Sequence, residues 1–231
     1  MFKFQDWCEK HDTIQLYQLF EECQSAYEWQ EQGNHVDYKY YRIRNTLFIF
    51  FAGSNEKIDW VRNFAFKKKP YKEMSLEYKV HGGFLAAWKE VEDTIGSLIA
   101  DETIEKIVIC GYSHGGALAG FCHEYCWFHR PDLRVNGLVG YGFEAPRMFG
   151  AKSVPDDLKE RWETFTVIRN CNDIVPCCPP KCMGFCHPGK VRHIGTNVDP
   201  KYGIIGSHYW SSVFWELYDD DDNNKIAEKI K

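Results

Sequence analysis

The chain lacks several features that would place it in a simple class. It has no excess of basic residues, because 28 Lys and Arg stand against 33 Asp and Glu, so it lacks the charge footprint of a nucleic-acid-binding protein. No apolar run is long enough to span a bilayer, and the first ten residues do not form the apolar core of a secretion signal. We therefore expect a cytoplasmic protein without a transmembrane anchor, with secretion left open.

Internal repeats and low-complexity linkers are also absent from the sequence. The 231 residues, of which 44% are hydrophobic and 16% aromatic, are enough for one domain with a sizeable core. We therefore expect a single domain over residues 1–231.

Hydrophobic periodicity predicts the order of the elements. Residues 11–30 have the spacing of an amphipathic helix, and residues 36–43 and 46–51 read as two strands joined by a tight turn. Beyond them, helical and strand patterns alternate: helices at 84–100, 114–129 and 207–218, and strands at 105–110, 135–141, 164–168 and 190–194. This alternation predicts an α/β fold with a mostly parallel sheet and helices on both faces.

The segment Gly111-Tyr-Ser-His-Gly115 lies between a predicted strand and a predicted helix. Such a sharp reversal strains the backbone of its central residue, and a glycine on each side gives clearance. The serine oxygen is then held at the edge of the sheet, close to the N-terminus of the helix. The pattern predicts that Ser113 is a catalytic nucleophile.

A nucleophilic serine needs a histidine to take its proton and a carboxylate to orient that histidine. Asp173 follows the apolar strand at 164–168 on a loop, where such an acid belongs. His208 follows it, after a Gly-flanked segment and at the start of the closing helix. We predict that Asp173 and His208 complete the catalytic triad.

Other acids and histidines have simpler explanations. Asp156 and Asp157 fit the start of a helix, and Asp199 precedes a proline in an apparent turn. His193 alternates within a predicted strand, and His187 lies within a cysteine-rich loop.

Stabilising an oxyanion requires two converging donors. The backbone N–H of His114, directly after the nucleophile, is the first candidate. The second is Ser54, which follows the strand at 46–51 through Ala52-Gly53.

Six blocks in this order resemble the class 3 lipases, the fungal-type triacylglycerol lipase family of α/β-hydrolases. They are Phe51-Ala-Gly-Ser54 with Asp59-Trp60, Val80-His-Gly-Gly-Phe84, Gly111 to Ala119, Phe143-Glu-Ala-Pro-Arg147, Asn172-Asp-Ile-Val-Pro176 and Ser207-His-Tyr-Trp210. The resemblance implies an α/β-hydrolase fold, a triad of Ser113, Asp173 and His208, and an oxyanion hole formed by Ser54 and His114.

We therefore expect a serine carboxylic-ester hydrolase, a lipase or esterase, that cleaves acylglycerols or related lipid esters without a cofactor. A phospholipase or an acyltransferase with the same triad is an alternative, since the fold does not fix the acceptor. A non-catalytic lipid-binding module is a third interpretation.

Two segments have open interpretations. Residues 55–70 combine apolar positions with Lys67-Lys-Lys69, which fits either a lid at a lipid–water interface or a packed connector. The loop after the acid contains four cysteines and a histidine, which fit zinc ligands, disulfides or neither: Cys177, Cys178, Cys182, Cys186 and His187.

Overall fold

A computed structural model describes residues 3–24, 31–32, 36–53, 66–71, 78–195, 206–219 and 227–229. Its strands are β1 (Thr13–Gln15), β2 (Glu31–Gln32), β3 (Asp37–Ile43), β4 (Thr46–Phe51), β5 (Lys68–Tyr71), β6 (Tyr78–His81), β7 (Lys106–Tyr112), β8 (Leu138–Phe143), β9 (Phe165–Asn170), β10 (Lys190–Ile194) and β11 (Ala227–Lys229). Its α-helices are α1 (Phe4–Lys10), α2 (Leu16–Glu22), α3 (Gly82–Ile99), α4 (His114–His129), α5 (Asp156–Lys159) and α6 (Trp210–Asp219). Short 3-10 helices occur at Pro131–Leu133, Glu160–Trp162, Val175–Cys177 and Lys181–Met183.

The central sheet has seven strands in the order β10, β9, β8, β7, β4, β3, β2. The five strands from β10 to β4 are parallel to their neighbours, whereas β3 and β2 are antiparallel. This confirms the predicted mostly parallel sheet. Because parallel strands align their carboxyl ends, the loops that follow β7, β8 and β9 meet at one edge.

The β3–β4 hairpin is confirmed, with Arg44 in the left-handed region of its two-residue turn at φ 53°. The helices predicted at 84–100 and 114–129 are present as α3 and α4. The opening helix predicted at 11–30 is wrong in part, because residues 13–15 form β1; α2 lies within the predicted range, and residues 25–30 lie outside the described part of the chain.

Side chains alternate between the two faces of the sheet and form two apolar layers. Within β7, Ile107 and Ile109 join the layer that contains α3 and α4, while Val108 and Cys110 join the layer that contains α1, α2 and α6. Both faces are thus covered, which explains the nearly continuous apolar sequence of the central strands. Among the described helices, none has the length and apolar character that crossing a membrane requires.

His123 lies in α4 without exposed surface, and its Nε2 is 2.9 Å from the hydroxyl oxygen of Thr164. Burial lowers its pKa from 6.5 to about 3. The unfolded chain therefore binds a proton at this residue more readily than the native protein, and native stability falls as the pH drops below about 6.5. For His123 alone we expect a loss of about 2 kcal/mol between pH 7 and pH 5.

The prediction is tested by denaturant unfolding at both pH values. His123→Gln should reduce the difference between the two free energies of unfolding by about 2 kcal/mol. His193→Gln, at an exposed position of β10, is the matched control and should leave the difference unchanged. An undiminished difference in His123→Gln would show that other groups cause the acid sensitivity.

Candidate active site

Ser113 occupies the turn between β7 and α4. Its backbone has φ 54° and ψ −119°, a conformation that costs a non-glycine residue about 1–3 kcal/mol. The turn is anchored where the Ser113 N–H donates to the Phe143 carbonyl at 2.8 Å. The strained backbone thus holds the hydroxyl at the carboxyl edge of the sheet.

The glycines flanking Ser113 permit close backbone packing. A Cβ at Gly111 would lie 2.0 Å from the Gly115 carbonyl oxygen, and one at Gly115 would lie 2.4 Å from the carbonyl oxygens of Phe51 and Ala52. Neither site can hold a side chain without movement of the backbone. The first turn of α4 therefore rests directly against the end of β4.

The three predicted triad residues lie in one hydrogen-bonded chain, although 95 residues separate Ser113 from His208. His208 Nε2 is 3.0 Å from Ser113 Oγ, and His208 Nδ1 is 2.6 Å from Asp173 Oδ2. All three residues are buried. With a proton on Nδ1, the imidazole donates to Asp173 and accepts from the serine hydroxyl.

Asp173 is fixed by the loop that follows β9. Its N–H donates to the Asn170 carbonyl at 3.0 Å, and its Oδ1 accepts from the Val175 N–H at 2.9 Å. Because one oxygen binds the backbone and the other faces His208, the carboxylate has a defined orientation.

Two further residues hold His208 in place. The Tyr112 ring stacks on the imidazole with centroids 5.3 Å apart, and its hydroxyl donates to the His208 carbonyl. The side-chain amide of Asn170 donates to the carbonyl of Ser207 and to the hydroxyl of Ser212, both at 3.0 Å. Neither role was predicted from the sequence, although Tyr112 lies inside the nucleophile pentapeptide.

Glu144 is a second buried carboxyl beside the triad. It follows β8 with φ 51°, and its Oε1 accepts from the Asn170 N–H at 2.5 Å. Burial and the neighbouring Asp173 carboxyl raise its pKa well above the ordinary value. From the sequence, no role was predicted for Glu144 beyond its place in the block Phe143-Glu-Ala-Pro-Arg147.

Of the two candidate oxyanion-hole residues, the structure describes His114 but not Ser54. His114 is the first residue of α4, so its N–H belongs to the turn whose N–H groups have no acceptor within the helix. Ser54 lies outside the described residues, one position after Gly53. Its role stays a prediction.

The competing candidates lie elsewhere. Asp156 and Asp157 begin α5, as expected for residues at a helix start, and Asp156 pairs with Lys159 at 2.6 Å. His193 is exposed in β10, as expected for a histidine within a strand. Asp199 lies outside the described residues. His187 donates from Nε2 to the Pro176 carbonyl at 2.7 Å, and burial lowers its pKa to about 4.

The cysteine-rich loop is fixed by its backbone. The Arg147 guanidinium donates to the carbonyls of Cys177 and Pro179, at 2.5 and 3.0 Å. The backbone N–H of Arg147 donates to the carbonyl of Cys178 at 2.7 Å. All ten cysteines of the chain lie in its described part, and no disulfide joins any two of them there.

One group of three ligand-type side chains converges within the described ranges, with its atoms inside 4.8 Å, namely Glu144, Asp173 and His208. The loop cysteines and His187 do not belong to it. Both ring nitrogens of His208 already make hydrogen bonds. This group therefore has the geometry of a hydrogen-bond network.

Comparisons with known proteins agree with this architecture. The lipase of Rhizomucor miehei is 29% identical over 156 residues, which cover 66% of this chain and 42% of the relative. A secreted mono- and diacylglycerol lipase of Fusarium solani is 29% identical over 170 residues, or 70% of this chain and 48% of the relative. A solved triacylglycerol lipase whose catalytic centre is described as a serine protease triad superposes with a TM-score of 0.60 at 28% identity, covering 71% of this chain and 63% of that one.

The fold is that of the α/β-hydrolases, as the solved lipases also show. The family model described as lipase (class 3) matches residues 48–183, more than half of the chain. The chain therefore belongs to the class 3 lipase family. It spans about half or less of the length of the curated relatives it matches. His208 lies beyond the residues that the family model matches, and its 3.0 Å contact with Ser113 joins it to the site.

Proposed function

We propose that this protein is a serine carboxylic-ester hydrolase that cleaves acylglycerols or related lipid esters through an acyl-enzyme intermediate. The observation that carries the proposal is the hydrogen-bond chain from Ser113 Oγ to His208, at 3.0 Å, and on to Asp173, at 2.6 Å. Such a chain makes a hydroxyl reactive near neutral pH, because the imidazole accepts its proton as the new bond forms.

In the first half-reaction, Ser113 Oγ attacks the ester carbonyl carbon while His208 Nε2 takes the hydroxyl proton. Asp173 stabilises the resulting imidazolium and keeps the remaining proton on Nδ1. The N–H of His114, together with Ser54, stabilises the negative oxygen of the tetrahedral intermediate. The intermediate then collapses, and the imidazolium gives its proton to the departing alcohol.

In the second half-reaction, water attacks the acyl-enzyme and His208 Nε2 takes a proton from it. Collapse of this intermediate breaks the bond to Ser113 Oγ, which recovers its proton from the imidazolium. The products are a free carboxylic acid and the original enzyme. No step needs a cofactor.

The choice of lipid esters rests on membership of the class 3 lipase family and on the relatives, which are named as lipases. A lipid–water interface is the proposed site of action. Large aromatic side chains are exposed on and just before α6, which directly follows His208: Tyr209, Trp210, Trp215 and Tyr218. Trp and Tyr are the residues enriched where protein meets a lipid surface.

Two finer proposals accompany this function. Of the proposed lid segment, residues 55–70, positions 55–65 lie outside the described part of the chain, whereas Lys68–Tyr71 forms β5 and pairs with β6. A cytoplasmic location is supported only by the sequence, and the relative from Fusarium solani is named as secreted. That the whole chain, residues 1–231, forms one domain is likewise part of the proposal.

The function is tested by a fluorophosphonate probe and a substrate panel. We expect the probe to modify the peptide that contains Ser113 at one label per chain. The panel comprises soluble p-nitrophenyl esters, emulsified triacylglycerols and phospholipids, each with and without an added alcohol acceptor. The proposal is supported if emulsified acylglycerols are hydrolysed faster than the other esters of the panel. Transfer to the alcohol instead of water would favour an acyltransferase, and a label on another residue would contradict the assignment of Ser113.

A further inference from the structure

We propose that Glu144 is a neutral carboxylic acid that donates a hydrogen bond to Asp173, and so positions the Asp173–His208 pair for catalysis. This inference rests on the proposed function and adds a positioning residue to it. The two carboxyl groups have no exposed surface. One carboxyl oxygen of Glu144, one of Asp173 and a ring nitrogen of His208 all lie within 4.8 Å of one another.

The hydrogen bonds around Glu144 require an additional proton. Its Oε1 accepts from the Asn170 N–H, but its Oε2 is buried and receives no hydrogen bond from a donor in the described structure. The group within hydrogen-bonding reach is the Asp173 carboxyl, which as an anion can only accept. Two ionised carboxylates in contact inside a protein repel strongly, so one of them keeps a proton.

The distribution of donors places that proton on Glu144. Asp173 accepts from His208 Nδ1 at 2.6 Å and from the Val175 N–H at 2.9 Å, and two such bonds stabilise its ionised form. Glu144 accepts from a single backbone N–H. The Glu144 pKa is raised, mainly by burial and to a smaller extent by contact with Asp173, which is consistent with this assignment.

The charged and titratable groups around Glu144 come from several elements. Tyr112 at the end of β7 is a neutral phenol. Its pKa is raised mainly by burial and to a smaller extent by the nearby Glu144 and Asp173. Arg169 in β9 acts in the opposite direction on Glu144, as a smaller effect than burial and Asp173. Among the described residues, His208 is the remaining titratable group close to Glu144. Within that part of the chain, the negative charge nearest to the imidazole is therefore that of Asp173.

The backbone at Glu144 is consistent with a specific role. Its φ of 51° lies in the left-handed region, which favours glycine and is strained for a residue with a side chain. The same residue uses its N–H to donate to the Ile168 carbonyl at 2.8 Å. This arrangement aims the side chain at the loop that carries Asp173.

Infrared difference spectroscopy tests the protonation state without relying on activity. The spectrum of Ser113→Ala minus that of Ser113→Ala/Glu144→Gln at pH 7 should contain the carbonyl stretch of a protonated carboxylic acid. Subtraction removes the contribution of other buried acids such as Glu124. Absence of this band would overturn the proposal even if the protein proved to have no hydrolase activity.

The pH profile of kcat/KM gives a second and independent test. Glu144→Gln replaces one neutral donor with another, so the acid limb of the profile should keep its position. If Glu144 were an anion, its loss would move that limb down by more than about one pH unit and the proposal would fail.

The positioning role itself is tested with Glu144→Ala. We expect kcat to fall about tenfold, with KM nearly unchanged, because Asp173 loses one of the hydrogen bonds that orient it. Glu144→Gln should restore kcat to within a few-fold of the wild-type value. Equal kcat in Glu144→Ala and the wild type would remove the positioning role.

Discussion

Replacing Ser113 with alanine should abolish ester hydrolysis, with a fall in kcat of about 10^5- to 10^6-fold. The alanine lacks the oxygen that forms the acyl-enzyme, and a water molecule in its place lacks the geometry of the chain to His208. Labelling by the fluorophosphonate should disappear in the same variant. The measurement is initial-rate hydrolysis of a p-nitrophenyl ester, combined with mass spectrometry of the labelled protein.

The structure offers a matched control for this substitution. Ser97 is exposed on α3, where its hydroxyl donates to the carbonyl of Asp93. Ser97→Ala should keep both activity and labelling. The melting temperature of Ser113→Ala should stay close to that of the wild type, since the turn is held by backbone packing at Gly111 and Gly115. Undiminished hydrolysis in a folded Ser113→Ala protein would mean that another residue is the nucleophile.

The sequence could predict the nucleophile because all its determinants are local. Strand, glycine-flanked serine and helix follow one another in residues 106–129, and the structure has β7 and α4 at these positions. Asp173 and His208 could be chosen because loops converge at one edge of a parallel sheet. This convergence requires parallel strands, which the alternation of strand and helix patterns indicated.

The supporting residues could not be predicted from local patterns. The contact between Tyr112 and His208 joins positions 96 residues apart, and the bond from Asn170 to the Glu144 side chain joins β9 to the end of β8. Nothing in the residues beside Glu144 indicates a carboxyl neighbour. Such contacts arise only after the sheet has brought the loops together.

The error at the N-terminus has a similar physical cause. Apolar residues at helical spacing predicted one helix over 11–30, but residues 13–15 form β1, which pairs with residues 227–229 near the other end of the chain. A strand whose partner is so distant has no local signal. The strand predicted at 135–141 also begins later, at Leu138, and Val135 is 81% exposed.

Replacing His208 with glutamine should reduce kcat about as strongly as the loss of Ser113, by about 10^5-fold or more. An amide at this position can donate to Asp173, so the buried carboxylate keeps a partner, but it cannot take the proton from Ser113. Initial rates and fluorophosphonate labelling measure the effect. His193→Gln, in exposed β10, is the control that changes a histidine outside the site and should retain full activity.

The double variant Ser113→Ala/His208→Gln gives the decisive comparison between the two residues. If they act as one unit, through the 3.0 Å contact of Oγ with Nε2, removing both should cost no more than removing either. The two losses would multiply if each residue contributed independently, and the residual rate would then be detectably lower in the double variant. Additive free energies of activation would therefore contradict the proton transfer from Ser113 to His208, because in Ser113→Ala no hydroxyl remains from which His208 could take the proton.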